Sequence, residues 1–570
     1  MAKSTKIGEI RAPQLVGMFG PGSIVNLERL SVMPSGVGRW PSYDDNARIE
    51  SRTFSDQIGA RSLIATSSMT KLGIQVILFP QQFVCRHCGT VQKKTSIRND
   101  ELKVGFKCYH DRGPLYPSRW IKYCDAGHIE DFDYNFFVHK SSGCTKRVYL
   151  DLGASLSDTW VICECGNRKS MIDAYGTKNS NAQCSGNSPW LGTHEQCPLK
   201  TKISMKSASD VYFGAVRSGI SIEPESDPLI SRAFAKLSEL VELGTKEDAR
   251  SHLRKLKYFA DADPVDVDRA VNEYFIATAS PSTYKDRRRQ EFEALARDSG
   301  SPSEDLHVER LDPKDVRSFG FSGLFAVRKL REIRALVGFR RGGMPSDPSF
   351  DDLEAPERLA PVGPDGVFPA YENRGEGIFL TLDKEWMSKW LSRPAVQNRI
   401  QAFNSAESRW RKTSGRLGTQ RSRGIYVLVH TFAHILIRQL SLVSGYSQAS
   451  LRERIYASED SDMPWAGLLI YTASSDADGS LGGLVAAATD GRVGDVIQQA
   501  MFSLQICSSD PVCALQTPKG FRKMNGAACH GCVVLPETCC ERNNFFLDRS
   551  LVVPNTVSDD TVELCYSKPR

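Results

Sequence analysis

Runs of apolar residues along the chain predict helices of two kinds. Between 229 and 243, apolar side chains recur every three or four positions, which is typical of an amphipathic helix. This helix belongs to a wider region, 205–341, that we expect to be mainly helical. Residues 425–442 are almost uniformly apolar and predict a buried helix. A second helix is expected between 442 and 467, and a short one over 484–488.

Shorter apolar runs bounded by glycine or proline predict strands, at 73–80, 377–382 and 467–472. Residues 342–376 contain six prolines among clustered Asp, Glu and Gly, which predicts a loop or linker. The sequence therefore predicts a multidomain α+β protein. Its expected parts are an N-terminal segment (1–80), a cysteine-rich zinc-ribbon-like region (81–204), the helical region (205–341), the linker (342–376) and a mixed α/β C-terminal domain (377–570).

The composition argues against disorder and against a membrane protein. Of 570 residues, 41% are apolar, which is enough for packed cores. His430, His434 and Arg438 interrupt the longest apolar run, which therefore falls short of the roughly 20 apolar residues of a membrane span. The N-terminus lacks the apolar core of a secretory signal, so we expect a cytoplasmic protein with no membrane contact. The net charge of +6 is compatible with a nucleic-acid partner.

Sixteen cysteines are the main chemical signal of the sequence. In a reducing compartment such a number indicates metal binding or catalysis rather than disulfides. Buried free thiols are the simpler alternative, because cysteine also packs as a small hydrophobic residue. However, nine cysteines lie between 81 and 200 and six lie between 507 and 540, which is dense for buried thiols alone.

A first zinc site is predicted around Cys85-Arg-His-Cys88-Gly. The C-x-x-C spacing places two sulfur atoms on one tight turn, and zinc prefers four soft ligands in a tetrahedron. Cys108 and Cys124 follow and can complete the site. His128 is a possible substitute ligand.

A second site is predicted from the next five thiols, of which four can close it. Because C-x-C is less diagnostic than C-x-x-C, the choice among them stays open. The five are Cys144, Cys163, Cys165, Cys184 and Cys197, and the last four are the candidate ligands. Thiol-dominated sites favour structural zinc over catalytic zinc, which usually has histidine ligands and a bound water.

A third site is predicted near the C-terminus, where Cys529-His-Gly-Cys532 repeats the C-x-x-C spacing. Cys507 and Cys513, or Cys540, can complete a four-sulfur cage. The three regions together predict about two to three structural zinc ions.

A basic stretch is the candidate nucleic-acid contact. From 399 to 423 there are seven basic residues and one acidic residue, with Trp410 between two arginines. Basic side chains with an aromatic residue suit a nucleic-acid backbone and a stacked base, although a solvated helix face would give the same pattern. The candidate DNA-binding residues are Arg409, Arg411, Lys412, Arg416, Arg421 and Arg423.

His430 and His434 are spaced as a helical metal pair, one turn apart on one face. Thr431 stands where a metalloprotease H-E-x-x-H motif has its glutamate, so the catalytic base is missing. Buried or interfacial histidines are the favoured interpretation. The alternative is a metal-dependent nuclease or phosphodiesterase that uses both histidines with Asp476 and Asp478.

Eight short segments carry a family resemblance: 19–22 (FGPG), 124–132 (CDAGHIEDF), 209–213 (SDVYF), 330–336 (LREIRAL), 430–434 (HTFAH), 479–483 (GSLGG), 536–538 (PET) and 547–549 (LDR). Together they give the sequence a resemblance to the DrmB family, the zinc-rich component of DISARM antiphage systems. The C-terminal third is also similar to the cysteine-bearing domain that ends MrfA-type DNA-repair helicases.

The resemblance implies a separate DrmA-like helicase as partner, because no G-x-x-x-x-G-K-[ST] motif occurs in this chain. It implies that DNA is bound by the heterodimer, with a DNA methyltransferase of the same system as a possible further partner. We therefore expect a non-catalytic, helicase-associated subunit of a defence complex, with no catalytic residue assigned.

Overall fold

A computed structural model gives the fold of the chain. It describes residues 6–41, 47–95, 105–140, 143–175, 183–222, 228–238, 245–279, 284–298, 305–343, 359–413, 424–458, 464–472, 482–519 and 524–554. The helices of these residues are α1 (Ala12–Val16), α2 (Arg52–Ile58), α3 (Thr66–Leu72), α4 (Tyr134–His139), α5 (Pro228–Ser238), α6 (Lys246–Arg254), α7 (Lys257–Ala260), α8 (Pro264–Ala279), α9 (Tyr284–Leu295), α10 (Lys384–Leu391), α11 (Pro394–Thr413), α12 (Gly424–Ser444), α13 (Gly483–Thr489) and α14 (Val493–Leu504).

The strands of the same residues fall into two groups along the chain. The first group is β1 (Val25–Asn26), β2 (Ser31–Pro34), β3 (Ser62–Ala65), β4 (Val76–Leu78), β5 (Gln82–Cys85), β6 (Val91–Lys93), β7 (Leu115–Pro117), β8 (Trp120–Tyr123), β9 (Ile129–Asp131), β10 (Val148–Asp151), β11 (Trp160–Cys163), β12 (Arg168–Ser170), β13 (Asn187–Ser188), β14 (Thr193–His194) and β15 (Lys202–Met205). The second group is β16 (Phe213–Ile220), β17 (Leu306–Leu311), β18 (Phe321–Arg340), β19 (Val367–Leu382), β20 (Leu451–Ser458) and β21 (Trp465–Thr472).

The cysteine-rich N-terminal region is built from small antiparallel sheets. Three of them have three strands each, in the orders β6-β5-β7, β15-β8-β9 and β10-β11-β12, and β13 pairs with β14. Each sheet is too small to enclose a large hydrophobic core of its own. The loops between the strands therefore need some other stabilising interaction. The multidomain mixed fold with a ribbon-like N-terminal region is therefore confirmed.

Helices α5, α6, α7 and α8 form the helical part of the middle region. Their apolar faces meet in one core that includes Ile230, Leu253 and Val271. Thr245 caps α6, because its hydroxyl accepts from the Asp248 N–H while the Asp248 side chain accepts from the Thr245 N–H. The predicted helix at 229–243 is confirmed over its described part, which ends at Ser238.

The centre of the molecule is a seven-stranded sheet. Its main path runs β16-β18-β19-β21-β20, with β17 also paired to β18 and β3 paired to β19. All of these pairs are antiparallel except β3 with β19. The longest strand, β18, has 20 residues and connects the N-terminal region to the C-terminal domain.

Three predictions of secondary structure are wrong in this sheet. Residues 321–340, which were assigned to the helical region, form strand β18. Strand β20 occupies part of the segment where a second helix was predicted. The predicted linker is strand β19 from Val367 onward. In β18 the pairing register shifts between Val327 and Leu330. Such a bulge interrupts the alternation of apolar and polar side chains along the strand. It leaves apolar residues three or four positions apart, which is also their spacing in an amphipathic helix.

Helix α12 is the core helix of the C-terminal domain. It packs against β20, β21, α13 and α14, and its residues from Gly424 to Ile437 are buried. Among the described helices it alone has the length and apolar composition of a membrane span, yet 67% of its apolar window is buried inside the protein. The predicted buried helix at 425–442 is confirmed, and so are the strand at 467–472 and the helix at 484–488.

Arg341 joins the N-terminal turn to the end of β18. Its fully buried guanidinium donates hydrogen bonds to the carbonyl oxygens of Gly22 (2.7 Å), Gly127 (2.8 Å) and Val211 (2.6 Å). Burial lowers the pKa of Arg341 to about 9. A guanidinium in this position holds three separate loops in a fixed arrangement around the first cysteine-rich sheets.

Candidate metal centres

Four clusters of potential ligands contain most of the described cysteines. Each offers four ligand atoms that lie within 4.8 Å of one another. They are cluster 1 (Cys85, Cys88, Cys108, Asp111), cluster 2 (Cys124, His128, Cys184, Cys197), cluster 3 (His139, Cys144, Cys163, Cys165) and cluster 4 (Cys507, Cys513, Cys529, Cys532). The fifteen cysteines within the described ranges are all free thiols.

Cluster 1 lies at the end of strand β5. The backbone N–H of His87 points at the sulfur of Cys85 at 3.4 Å, and Asp111 Oδ1 lies 3.3 Å from the same sulfur. Gly89, at φ 68°, closes the turn after Cys88, and a Cβ there would lie 2.2 Å from a carbonyl oxygen of the neighbouring sheet. Asp111 was not predicted from the sequence, since a lone aspartate in a loop carries no spacing signal.

Cluster 2 corrects the predicted grouping of the first site. Cys124 does not join Cys85, Cys88 and Cys108. It directly follows strand β8, whose antiparallel partner β15 begins at Lys202, a short loop after Cys197. The sulfur atoms of Cys124 and Cys197 are 4.0 Å apart, and His128 Nδ1 lies 3.4 Å from Cys124 Sγ. Strand pairing therefore brings together residues that are 73 positions apart.

His128 also has the environment of a metal-binding histidine. Its other ring nitrogen, Nε2, lies 2.9 Å from a carboxylate oxygen of Glu195, and its side chain is buried. A carboxylate on the far nitrogen orients the ring of many zinc-binding histidines. The sequence identified His128 only as a possible substitute, and the structure places it directly in a cluster.

Cluster 3 keeps Cys144, Cys163 and Cys165 from the five thiols predicted for the second site and adds His139. Cys184 and Cys197 belong instead to cluster 2, so five expected ligands for one site divide between two sites. His139 Nε2 lies 3.2 Å from Cys165 Sγ. A hydrogen bond from the Asn167 N–H and the adjacent His139 lower the pKa of Cys165 to about 6. His139 is the last residue of the short helix α4, and nothing in its spacing identifies it as a ligand.

Cluster 4 contains the predicted C-terminal C-x-x-C pair together with Cys507 and Cys513. The sulfur separations are 3.4 Å for Cys507 to Cys529, 3.6 Å for Cys513 to Cys532 and 3.7 Å for Cys529 to Cys532. Burial raises the pKa of Cys532 to about 12, whereas hydrogen bonds from neighbours, Cys507 first among them, bring the pKa of Cys529 to about 7 despite its burial. Of the two predicted completions of this cage, the structure brings Cys507 and Cys513 together and leaves Cys540 elsewhere.

Cys540 lies in the second part of the C-terminal domain, next to His430, His434 and Glu453. These four residues form cluster 5, which is fully enclosed by helix α12, strand β20 and the loop that follows cluster 4. The adjacent thiol of Cys539 points away from the cluster, with its sulfur 3.0 Å from the carbonyl oxygen of Gln448.

The distances in clusters 1 to 4 fit a tetrahedral zinc site. With zinc–sulfur bonds of about 2.3 Å, two sulfur ligands of one tetrahedron lie about 3.8 Å apart. The sulfur–sulfur separations in these clusters, 3.4 to 4.0 Å, fall around that value. They are far longer than the roughly 2.05 Å of a disulfide. The donor set is rich in thiol and imidazole groups, which suits zinc, and no cluster has a carboxylate-only set that would suit magnesium or calcium.

The predicted DNA-binding residues lie on and after helix α11. Arg409 and Lys412 are exposed near the C-terminal end of this helix, which also carries Arg411. Arg416, Arg421 and Arg423 lie outside the described residues. Within the described part of the basic stretch, Arg409 and Lys412 therefore lie on the surface.

The alternative hydrolytic site is incomplete in the described part of the protein. His430 and His434 have no exposed surface, and their Nε2 atoms face Glu453. Asp476 and Asp478 lie outside the described residues.

Comparison with known protein families identifies the class of protein to which the chain belongs. Residues 432–533 match the MrfA Zn-binding domain, a range that ends at cluster 4, and residues 11–213 match a domain of unknown function, DUF8724, that contains clusters 1 to 3. The protein is thus a multidomain protein with a zinc-binding domain in its C-terminal part.

The particular family follows from a longer match. The chain is 31% identical over 510 residues to the DISARM protein DrmB of Bacillus paralicheniformis, covering 84% of this chain and 89% of that protein. The chain belongs to the DrmB family, and the resemblance found in the sequence is confirmed.

Proposed function

We propose that this chain is a non-catalytic, zinc-stabilised subunit of a DISARM antiphage system, where it works with a separate DrmA-like helicase and contributes to DNA binding. The observation that carries the proposal is the 31% identity to a DISARM protein over most of both chains. The metal clusters, the missing nucleotide-binding motif and the basic helix support the individual parts of this role.

Clusters 1 to 4 support a structural role for zinc. Each has four protein ligand atoms, whereas a catalytic zinc usually keeps one position for water. The clusters sit where small sheets and loops lack a large core, so metal binding would supply folding free energy directly. The grouping raises the expected number of zinc ions from two or three to about four, one in each of these clusters.

The absence of a phosphate-binding loop from the sequence supports a separate motor protein. ATP-dependent motors position the phosphates with a backbone loop, a lysine and a bound magnesium ion. The resemblance to the DrmB family implies a DrmA-like helicase in that role, and a DNA methyltransferase of the same system is a further candidate partner. The proposed location of this complex is the cytoplasm.

Helix α11 supports the proposed contribution to DNA binding, because it is rigidly fixed to the zinc-binding part of the C-terminal domain. Near its start, Arg399 Nε lies 2.5 Å from Asp548 Oδ2 and Arg399 Nη2 lies 3.0 Å from Oδ1. The other end exposes Arg409 and Lys412. A basic helix end on a fixed support can contact phosphates without a large loss of conformational entropy.

Co-purification tests the partner. The full-length chain is co-expressed with the helicase encoded beside it, and the affinity between the two purified proteins is measured with and without DNA. We expect a complex whose affinity rises in the presence of DNA, because coupling between two binding events is reciprocal. The chain alone should hydrolyse no ATP. ATPase activity of the isolated chain, or no complex with the helicase, would contradict the proposal.

Fluorescence anisotropy with labelled DNA tests the basic helix. In the complex, Arg409→Ala with Lys412→Ala should weaken binding of all sequences similarly and flatten the dependence of affinity on salt, because phosphate contacts release counterions. The matched control is Arg254→Ala with Lys255→Ala, an exposed pair at the end of α6 with the same change in charge. Equal effects of the two double variants would show that net charge, rather than helix α11, determines binding.

The same preparation separates this role from hydrolysis of DNA. With manganese or magnesium and labelled DNA, the chain should leave the DNA intact. Cleavage that disappears in His434→Ala would overturn the non-catalytic role and favour the nuclease alternative.

A further inference from the structure

Cluster 5 differs from the other clusters in composition, and all four of its residues are buried, as they are in cluster 2. It combines two imidazoles, one carboxylate and one thiol, from His430, His434, Glu453 and Cys540. The two histidines have no exposed surface, Glu453 is 3% exposed and Cys540 is 8% exposed. Buried polar groups of this kind need partners that compensate for the loss of water.

The hydrogen-bond partners of the two histidines fix the direction of their rings. His430 Nδ1 lies 3.3 Å from the carbonyl oxygen of Phe546, and His434 Nδ1 lies 2.9 Å from that of Val533. A carbonyl oxygen can only accept, so each Nδ1 carries the hydrogen. Both Nε2 atoms therefore point into the cluster, which is the arrangement of metal-binding imidazoles held by a backbone carbonyl.

The atoms that face the centre include one donor of their own, the thiol hydrogen of Cys540, and the Glu541 N–H donates to Glu453 Oε1 from outside the cluster at 3.2 Å. His430 Nε2 lies 2.9 Å from Glu453 Oε1 and 3.1 Å from Cys540 Sγ, and His434 Nε2 lies 3.5 Å from Glu453 Oε2. Within the described residues, His434 Nε2 and Glu453 Oε2 are buried without a hydrogen-bond partner. With the hydrogens on Nδ1, the lone pairs of both Nε2 atoms face the Glu453 carboxylate, so a cation between them would give all of these atoms a partner.

Two additional protons could supply positive charge, but they would leave two imidazolium ions against one carboxylate in a buried site. A divalent cation with neutral histidines, one carboxylate and one thiolate gives a charge balance of zero. The cation also satisfies all four inward-facing atoms together. The donor set, with nitrogen, sulfur and oxygen ligands, is one that zinc accepts in tetrahedral sites.

The sulfur of Cys540 has the same backbone environment as the sulfurs in the other clusters. The N–H groups of Arg542 and Asn544 point at it from 3.3 and 3.2 Å. Cys85 and Cys507 each receive such a contact from the residue two positions later, at 3.4 Å. Asn543 and Asn544 have φ of 51° and 62°, a left-handed backbone that turns the loop around the sulfur. The loop is thus shaped to stabilise a thiolate.

We propose that His430, His434, Glu453 and Cys540 bind a further structural zinc ion, separate from the one expected in cluster 4. The ion connects the core helix α12, the strand β20 and the loop around Cys540. All four positions are occupied by protein atoms and enclosed, so the site is closed to substrate and holds the C-terminal domain together.

Metal counting on the full-length protein tests this assignment. The chain is purified without added metal, dialysed against zinc and then against metal-free buffer, and its zinc and iron contents are measured by mass spectrometry. Cys540→Ser should contain about one zinc ion fewer per chain than the wild type. The matched control is Cys539→Ser, which changes the neighbouring buried thiol and should keep the wild-type zinc content.

Equal zinc contents in the wild type, Cys540→Ser and Cys539→Ser would overturn the proposal. Loss of iron rather than zinc with Cys540 would overturn the choice of metal, since two histidines and a carboxylate are also ligands of non-haem iron.

A second measurement is independent of whether Cys540→Ser folds. Crystals of the wild-type protein are measured on both sides of the zinc absorption edge. An anomalous peak between the Nε2 atoms of His430 and His434 is expected. Peaks at cluster 4 with none at cluster 5 would overturn the proposal, while leaving the proposed role of the other zinc clusters intact.

Discussion

Replacing Cys532 by serine should release the metal of cluster 4 and disorder the loops around it. Cys532 is 5% exposed, and its sulfur lies 3.6 and 3.7 Å from those of Cys513 and Cys529. A serine hydroxyl is a poor zinc ligand in place of a thiolate. From 505 to 535 the described residues form turns but no helix or strand, so local hydrogen bonding gives them little stability of their own.

The size of the effect follows from two magnitudes. A structural zinc ion contributes on the order of 10 kcal/mol or more to folding at neutral pH. The net stability of a whole domain is about 5–15 kcal/mol. Loss of one ligand from cluster 4 therefore removes free energy comparable to the stability of the domain, and the C-terminal loops should unfold first.

The assay is limited proteolysis combined with zinc analysis on the full-length protein. Cys532→Ser should lose about one zinc ion per chain and become rapidly cleaved between 505 and 535. Cys539→Ser, which changes a buried thiol outside the clusters, should cost only about 1–2 kcal/mol, because a hydroxyl packs less well there while it can still donate to the Gln448 carbonyl oxygen, and the variant should keep both its zinc and its resistance to cleavage. A Cys532→Ser protein with wild-type zinc content and wild-type resistance would refute the structural role of cluster 4.

Three other features give measurable expectations. Arg399→Met should lower the free energy of unfolding by about 3 kcal/mol in a urea titration, because it leaves the buried carboxylate of Asp548 without its counter-charge. Arg341→Met should lower the thermal midpoint of the N-terminal region, since three buried carbonyl oxygens lose their donor; an unchanged midpoint would mean that water replaces the guanidinium. During chelator treatment at neutral pH, Cys165, with a pKa near 6, should react with iodoacetamide first, whereas Cys85, whose pKa burial raises to about 12, should react only as the loss of zinc unfolds its loop; mass spectrometry of the alkylated peptides measures both.

Strand register explains the errors in predicted secondary structure. The helical pattern at 229–243 was extended over the whole of 205–341, and the bulge between Val327 and Leu330 interrupts the alternation that would identify 321–340 as a strand. Residues 367–376 were assigned to a linker because of their neighbouring prolines and glycines, yet they pair with β18 from Ala370 onward. The secondary structure of both segments depends on pairing with strands that are distant in sequence. The local spacing of apolar residues carries no information about those strands.

The sequence by itself determined the chemistry of this protein. The two C-x-x-C pairs, at Cys85 and at Cys529, are short-range features, because two sulfurs on one turn are close whatever the rest of the chain does. The buried helix α12 was equally evident, since its continuous apolar run has one stable location, inside a core. The family resemblance rested on such short segments as well.

The tertiary structure alone decided which ligands share a metal. Cys124 meets Cys197 because β8 pairs with β15, and Cys540 meets His430 because the C-terminal loop folds back onto α12. Asp111, His139 and Glu453 join clusters with no spacing signal at all. A tetrahedral site needs four atoms within a few ångströms, and when the ligands come from distant segments only the packing of those segments brings them to that distance.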